Sequence, residues 1–462
     1  MQVFESSVAL PVGVEEAFAY HTRRGALQRL IPPWENVTIE SADASIEPGS
    51  RVTLKTKVAG LPLRWVAEHI AYDPPHCFED VAISGPFACW HHQHRFESVT
   101  PLTSVLTDHV DYQLPMGALG RTLASGMVRG KLDAMFAYRH RITRNDLHTY
   151  SRYSVSPITI AVTGSGGLVG RELMPFFSVL GHHSVAVHRD GEGADTTFHL
   201  GHGERWEDCD AVVHLAGKSI ADQRWSESVK AEIKDSRLIP TRRLCQQLAA
   251  LPKRPKVLIC ASAVGIYGDR GDELLSETAT AGDDFLAGVA QAWEDACEPA
   301  RQAGIRVVHL RLGLVLSPRG GALASMLLPA RLGLGGPLGS GHQWWSWIAI
   351  DDVLGIAYHA IVNDQVQGPI NVVAPNAVTN RQFAKTLGTV LGRPAFMPAP
   401  ASVLRLALGQ MADDLLLTSA RVVPQAALEA GYSFSFPELE PALRHLLGYG
   451  APAMHQGAQS AP

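Results

Sequence analysis

Cysteine is scarce and scattered in this chain. There are six in 462 residues, Cys77, Cys89, Cys209, Cys245, Cys260 and Cys297, and no Cys-x-x-Cys spacing marks a metal or redox site. That pattern fits reduced thiols, and a cytoplasmic location is expected. An excess of basic residues is missing as well. The formal net charge is −5, with 40 Lys and Arg mixed among 45 Asp and Glu, so no basic stripe offers itself to phosphate backbones and nucleic acid is not expected as a partner. No apolar run suits a membrane span, since the most apolar late stretch, residues 403–417, is broken by Arg405, Asp413 and Asp414. The opening MQVFESSVALPV lacks the basic and apolar regions of a signal peptide. Charged residues make up only 18% of the chain and hydrophobic ones 46%, which excludes a disordered protein and provides for packed cores. The length predicts two or three domains.

Strand and turn signals fill residues 1–145. Strands are expected at 3–10, 51–58, 64–70, 78–83, 87–96 and 104–114, with a short helical segment after Pro11 through Val14, Ala17 and Phe18. Within 51–58, Arg51, Lys55 and Lys57 alternate with Val52, Leu54 and Val58, the period of a sheet with one wet face. Leu119, Leu123, Met127, Met135 and Phe136 mark one stripe of a long helix that would close over the sheet. This order resembles the START-like, polyketide-cyclase-like helix-grip superfamily, whose curved sheet wraps the terminal helix around an apolar cavity. The resemblance implies a hydrophobic small ligand, with a core that encloses nothing as the alternative. Polar residues 146–157 read as a linker.

Ile158 to Val162 form a short apolar run suited to a strand buried on both faces, and it leads directly into TGSGGLVG (163–170) and then a helix ending near Gly181. Strand, glycines and helix in register predict a dinucleotide site. Gly164 permits the tight turn, Gly167 lets backbone approach a pyrophosphate, Gly170 lets the helix pack on the strand, and the N–H groups at Leu168 and Val169 face the anion. The next strand, 184–187, ends at His188-Arg189-Asp190. Arg189 would pair with a 2′-phosphate and select NADP, whereas Asp190 at the same strand end would accept from a ribose and keeps NAD open. A buried strand at 211–215 ends in Leu215-Ala216-Gly217, small enough for adenine and ribose to lie against backbone.

These features, with ICASAVGIYGDRGDELLSE (259–277), GGPLGSGHQWWSWIAIDDV (335–353) and RWSESVKAEIKDSRLIPTRRL (224–244), closely resemble the extended short-chain dehydrogenase/reductases, within them the epimerase-like subgroup that ends in a small domain of uncharacterised function. The resemblance implies an α/β fold: a Rossmann-type doubly wound parallel sheet at 158–397 with a small C-terminal helical subdomain at 398–448, preceded by the α+β helix-grip domain. It also implies a catalytic serine, matched by Ser262 with a register uncertain by one and with a strand-end hydrogen-bonder as the alternative, and it matches Tyr267 to the tyrosine of the strand-end motif, which is usually structural. The family's Tyr-x-x-x-Lys pair, which trades a proton while hydride moves, is absent. Phe285 and Val289 stand near those two positions, leaving Asp283, Asp284 and Tyr267 as the nearest acids.

The expectation is therefore an NADP(H)-binding, epimerase-like oxidoreductase whose hydrophobic small-molecule substrate is held or delivered by the N-terminal domain, or else a non-catalytic NADP(H) sensor. Trp344, Trp345 and Trp347 would line or lid the substrate cleft, with Trp347 alternatively in the core. His92 and His94 would share one face of a strand, but no carboxylate or cysteine is set at ligand spacing beside them, so no metal is expected. The C-terminal segment would pack on the substrate side or form a homodimer face, and residues 449–462 would be a disordered tail.

Overall fold

The computed structural model describes residues 1–58, 60–115, 117–190, 197–201 and 203–450, with backbone alone at 58 and 117–124. The expected tail lies outside the described residues from 451 onward, as do the side chains of Leu119 and Leu123.

The N-terminal half runs β1 (Gln2–Leu10), α1 (Val14–Thr22), α2 (Ala26–Leu30), β2 (Thr38–Ala42), β3 (Arg51–Val58), β4 (Leu61–Asp73), β5 (Cys77–Ser84), β6 (Cys89–Thr100), β7 (Thr103–Gln113) and α3 (Gly117–Tyr153). Its seven strands form one antiparallel sheet in the order β1-β7-β6-β5-β4-β3-β2. Alternation fixes the inner face: Ser104, Leu106, Asp108, Val110 and Tyr112 of β7 are all buried. α3 crosses that face as expected, with Phe136 buried against it, but Met127 of the expected stripe is exposed. The helix is also longer than predicted, and residues 146–153, read as linker from their polarity, are its last two turns. Asp146 and Leu147 are buried there, and Asp146 accepts from the Tyr20 hydroxyl and from the Arg29 guanidinium. Polarity marked a helix face with distant partners, not a solvated connection.

The second half contains β8 (Thr159–Thr163), α4 (Gly170–Val179), β9 (His183–Asp190), β10 (Thr197–Leu200), β11 (Ala211–His214), α5 (Glu227–Ala249), β12 (Val257–Ala263), α6 (Phe285–Asp295), β13 (Arg306–Leu312), α7 (Ile350–Val362), β14 (Gly368–Val372) and α8 (Leu439–Leu447), with further helices and short strands between them. The sheet order is β10-β9-β8-β11-β12-β13-β14, parallel throughout except at β10. Order reverses direction at β8, so a crevice opens beyond the carboxyl ends of β8 and β11, where doubly wound sheets bind ligands.

The halves are packed together. Gly25 precedes α2 with φ +94°, and a Cβ there would meet the Pro175 backbone of α4 at 2.9 Å. Arg23 donates to the Val179 carbonyl at 2.7 Å, Arg319 bridges Glu172 and the Ile31 carbonyl, and the Tyr153 hydroxyl meets His359 Nδ1 at 2.6 Å. Among the described residues no helix is long and apolar enough to cross a membrane.

Candidate functional site

β8 ends at Thr163, whose neighbours in register are Val187 on β9 and His214 on β11. The glycine turn, Arg189 and the run Leu215-Ala216-Gly217 therefore share one edge of the sheet. Gly164 has φ +66°, and a Cβ there would meet the Leu215 carbonyl carbon at 2.9 Å, so this glycine seats the turn against the end of β11. Gly170 is tighter still: its Cβ would stand 2.2 Å from the Gly164 oxygen. Gly167 is exposed and donates its N–H to that same oxygen at 2.9 Å, while Gly166 faces open space. No side chain caps the start of α4, and among the described residues the N–H groups of Leu168, Val169 and Gly170 meet no protein acceptor. These donors at a helix N-terminus form an anion cradle.

Buried polar groups fix the floor. Thr163 Oγ1 meets His214 Nδ1 at 2.7 Å and accepts the Leu215 N–H at 3.1 Å, and His214 Nε2 continues to Thr241 Oγ1 at 2.8 Å. Burial holds the His214 pKa down at about 4, and the Arg189 charge pushes it the same way. Arg189 itself is exposed on β9, two residues beyond Val187. Sequence reasoning missed Arg237 of α5, whose side chain lies 3.4 Å from where a Gly217 Cβ would be. Its guanidinium stacks over Trp293 at 5.0 Å, and burial lowers its pKa to about 10. A half-buried cation at this edge suits a phosphate; an arginine inside a helical charge pattern gave no such signal.

Ser262 lies in β12 near its carboxyl end and Tyr267 in the turn that follows, and both are committed to protein partners. The Ser262 hydroxyl donates to Glu294 Oε1 at 2.7 Å, and Arg311 grips both oxygens of Glu294 at 2.8 and 2.9 Å. The Tyr267 hydroxyl donates to Asn371 at 2.7 Å and accepts from Arg311 at 3.0 Å. Ser262 is 2% exposed and Tyr267 0%. Burial raises the Tyr267 pKa, against the lowering that proton exchange near neutral pH asks for. Phe285 opens α6 and packs on Trp225, Val289 is buried, and Asp284 caps the helix by accepting the Ala287 N–H at 2.8 Å. Of the three tryptophans, Trp345 and Trp347 belong to the core and Trp344 donates to Asp272 at 2.7 Å, so the expected aromatic lid reduces to one partly exposed ring. A groove lined by Asn145, His148, Arg152 and Tyr432 shares no residue with this edge.

Residues 160–373 match the NAD dependent epimerase/dehydratase family, residues 10–136 match polyketide cyclase/dehydrase and lipid transport proteins, and residues 399–446 match a domain of unknown function. The human epimerase family protein SDR39U1 is 40% identical over 294 residues, which are 62% of this chain and 99% of that protein. The chain belongs to this epimerase family. Another member, YfhF of Bacillus subtilis (strain 168), is 36% identical over 306 residues, covering 63% of this chain and 98% of its own. Among solved structures of the epimerase family, human SDR39U1 with NADPH superposes with TM-score 0.58 and 37% identity over 63% of this chain and 99% of that one. The nucleoside-diphosphate sugar epimerase of Corynebacterium glutamicum superposes with TM-score 0.79 and 34% identity over 98% of this chain and 91% of that one, so it carries both halves.

Proposed function

We propose that this chain binds NADP(H) across the carboxyl edge of β8, β9 and β11 and acts as an epimerase-like oxidoreductase on a small hydrophobic molecule held by a helix-grip domain at 1–145. The observation that carries the reading is the uncapped start of α4 behind a glycine turn in which Gly164 and Gly170 leave no room for a side chain. The human relative solved with NADPH supports it. In this reading Gly164, Gly167, Leu168, Val169 and Gly170 hold the pyrophosphate, Arg189 takes the 2′-phosphate, Leu215, Ala216 and Gly217 accept the adenosine, and Arg237 adds charge beside them. The cofactor would supply hydride exchange at its nicotinamide. Ser262 and Tyr267 remain the candidates for the proton, and each must first release Glu294 or Asn371.

A second reading, a non-catalytic NADP(H) sensor, is favoured by Phe285 and Val289, which carry no exchangeable proton on their side chains. One experiment separates the two: titrate the purified chain with NADPH and NADH by fluorescence, then screen carbonyl substrates for oxidation of bound NADPH. Submicromolar NADPH binding with turnover supports the oxidoreductase, the same binding without turnover across the panel supports the sensor, and absence of NADPH binding rejects both.

A further inference from the structure

His92 and His94, two residues apart on β6, put their imidazoles on the inner face of the N-terminal sheet. Register brings the carboxylates that sequence spacing could not show: Asp80 of β5 lies opposite His92, and Asp108 of β7 lies opposite His94. The row sits midway along an otherwise apolar face, between Phe78, Phe96 and Leu106 on one side and Trp90, Val110 and Phe136 on the other. α3 closes it with His140 and Arg139, and α1 adds His21.

Asp108 takes one nitrogen of each histidine. Its Oδ1 bonds His92 Nε2 at 2.9 Å and stands 2.7 Å from His94 Nδ1, while Oδ2 bonds His140 Nε2 at 2.6 Å. The opposite nitrogens turn toward Asp80 Oδ1, His92 Nδ1 at 3.5 Å and His94 Nε2 at 3.9 Å. His92 thus stands between two carboxylates, Nε2 on Asp108 and Nδ1 toward Asp80. His94 Nδ1 is buried without a well-formed hydrogen bond, and so is Arg139 Nε. Ligand atoms from Asp80, His92 and His94 all lie within 4.8 Å of one another. Around a tetrahedral ion with bonds near 2.1 Å, neighbouring ligand atoms stand about 3.4 Å apart, near the 3.5 and 3.9 Å that separate the two nitrogens from Asp80 Oδ1.

We propose that Asp80, His92 and His94 form a divalent transition-metal site inside the N-terminal half, with Asp108 as the carboxylate that orients both imidazoles. Two imidazoles and one carboxylate suit a borderline first-row ion such as Zn²⁺, and three protein ligands leave a position open for water or a bound molecule. The orienting carboxylate behind the histidines is the arrangement that fixes tautomer and ring angle in metal sites. Charge permits it: Asp80 and Asp108 face one fixed cation, Arg139, so a dication exceeds neutrality by one.

Cys260, Cys297 and His309 in the second half also converge within 4.8 Å, and the test must separate the two sets. The full chain is stripped with a chelator, and Co²⁺ and then Zn²⁺ are added while absorbance, bound metal per chain and thermal unfolding are followed. The expected result is about one equivalent of metal, d–d bands without thiolate charge transfer, and a raised Tm. Asp80→Asn and His92→Asn should each weaken binding at least tenfold while NADPH affinity is kept, and Cys260→Ala should leave uptake unchanged. Uptake below a tenth of an equivalent, or uptake abolished by Cys260→Ala and indifferent to Asp80→Asn, overturns the proposal. Should either variant fail to fold, the wild-type spectrum and Tm shift decide alone.

Discussion

Arg29 and Asp351 are 322 residues apart in the chain and 3.3 Å apart in the fold. Arg29 is 4% exposed, pairs with both oxygens of Asp146 at 2.9 Å, and lies over the Phe176 ring at 5.3 Å. Asp351 in turn meets His445 of α8 at 3.2 Å, and these bonds keep its carboxyl well below the usual range. One guanidinium thus joins α2, the end of α3, α4 and the start of α7.

Replacing Arg29 by alanine leaves Asp146 buried without its cation. The expected cost is about 3–5 kcal/mol, the range for breaking one side of a buried pair. Thermal unfolding reads it as a lowered Tm, or as separate transitions for the two halves. An unchanged melting profile would refute the assignment.

Gly170→Ala and Gly166→Ala should differ sharply. The first puts a methyl 2.2 Å from a carbonyl oxygen, and the second puts it in open space. We expect Gly170→Ala to destabilise by about 1–3 kcal/mol and to weaken NADPH at least tenfold, while Gly166→Ala stays within twofold in both. Calorimetric titration and melting of the pair check this.

Arg189→Asp should weaken NADPH at least tenfold while leaving NADH within threefold, since only NADPH carries the 2′-phosphate. Equal losses in the two fluorescence titrations would remove Arg189 from cofactor selection.

Ser262→Ala discriminates a hydrogen-bonder from a catalyst. Loss of its bond to Glu294 should cost about 1 kcal/mol of stability. A catalytic serine would instead lower kcat by two orders of magnitude or more with little change in Tm.

Two buried histidines each withdraw stability from the second half as pH falls below 6.5, while buried Asp352, its pKa raised by burial to about 6, works in the opposite sense. His182 and His214 are buried and neutral, each with its pKa lowered by burial to about 4 from 6.5. A depressed histidine pKa means the unfolded chain binds more protons between those values, so the stability it contributes is complete above pH 6.5 and lost as pH falls toward 4. The two together amount to several kcal/mol, at about 1.4 kcal/mol per pKa unit. His182→Gln should give a shallower decline in denaturant stability between pH 6.5 and 4.5.

The glycine turn was legible in the sequence because its constraints are local: Gly164 to Gly170 contact each other and the strand next door. Six strands of the first half were legible for the same reason, through alternation along each one, whereas β2 (Thr38–Ala42), a mostly exposed edge strand, was not expected. Pairing was not. Nothing near His92 in the sequence points to Asp80 or Asp108, which come from other strands of an antiparallel sheet. Tyr267 and Ser262 read as catalytic while their partners Asn371, Arg311 and Glu294 were far along the chain. The end of α3 was misread because Asp146 finds Tyr20 and Arg29 only after folding. Trp345 and Trp347 sit in an aromatic-rich motif that composition cannot divide between cleft and core.

The connection from the end of α3 to the start of β8 is residues 154–158. Anyone grafting the first half onto another member of the epimerase family therefore has little slack to work with and a matched surface to carry over. Pro175 and Phe176 would have to travel with Gly25 and Arg29, because each was shaped to be covered by the other. A cut at 157 is simple in the gene and leaves an apolar, charge-bearing scar in the protein.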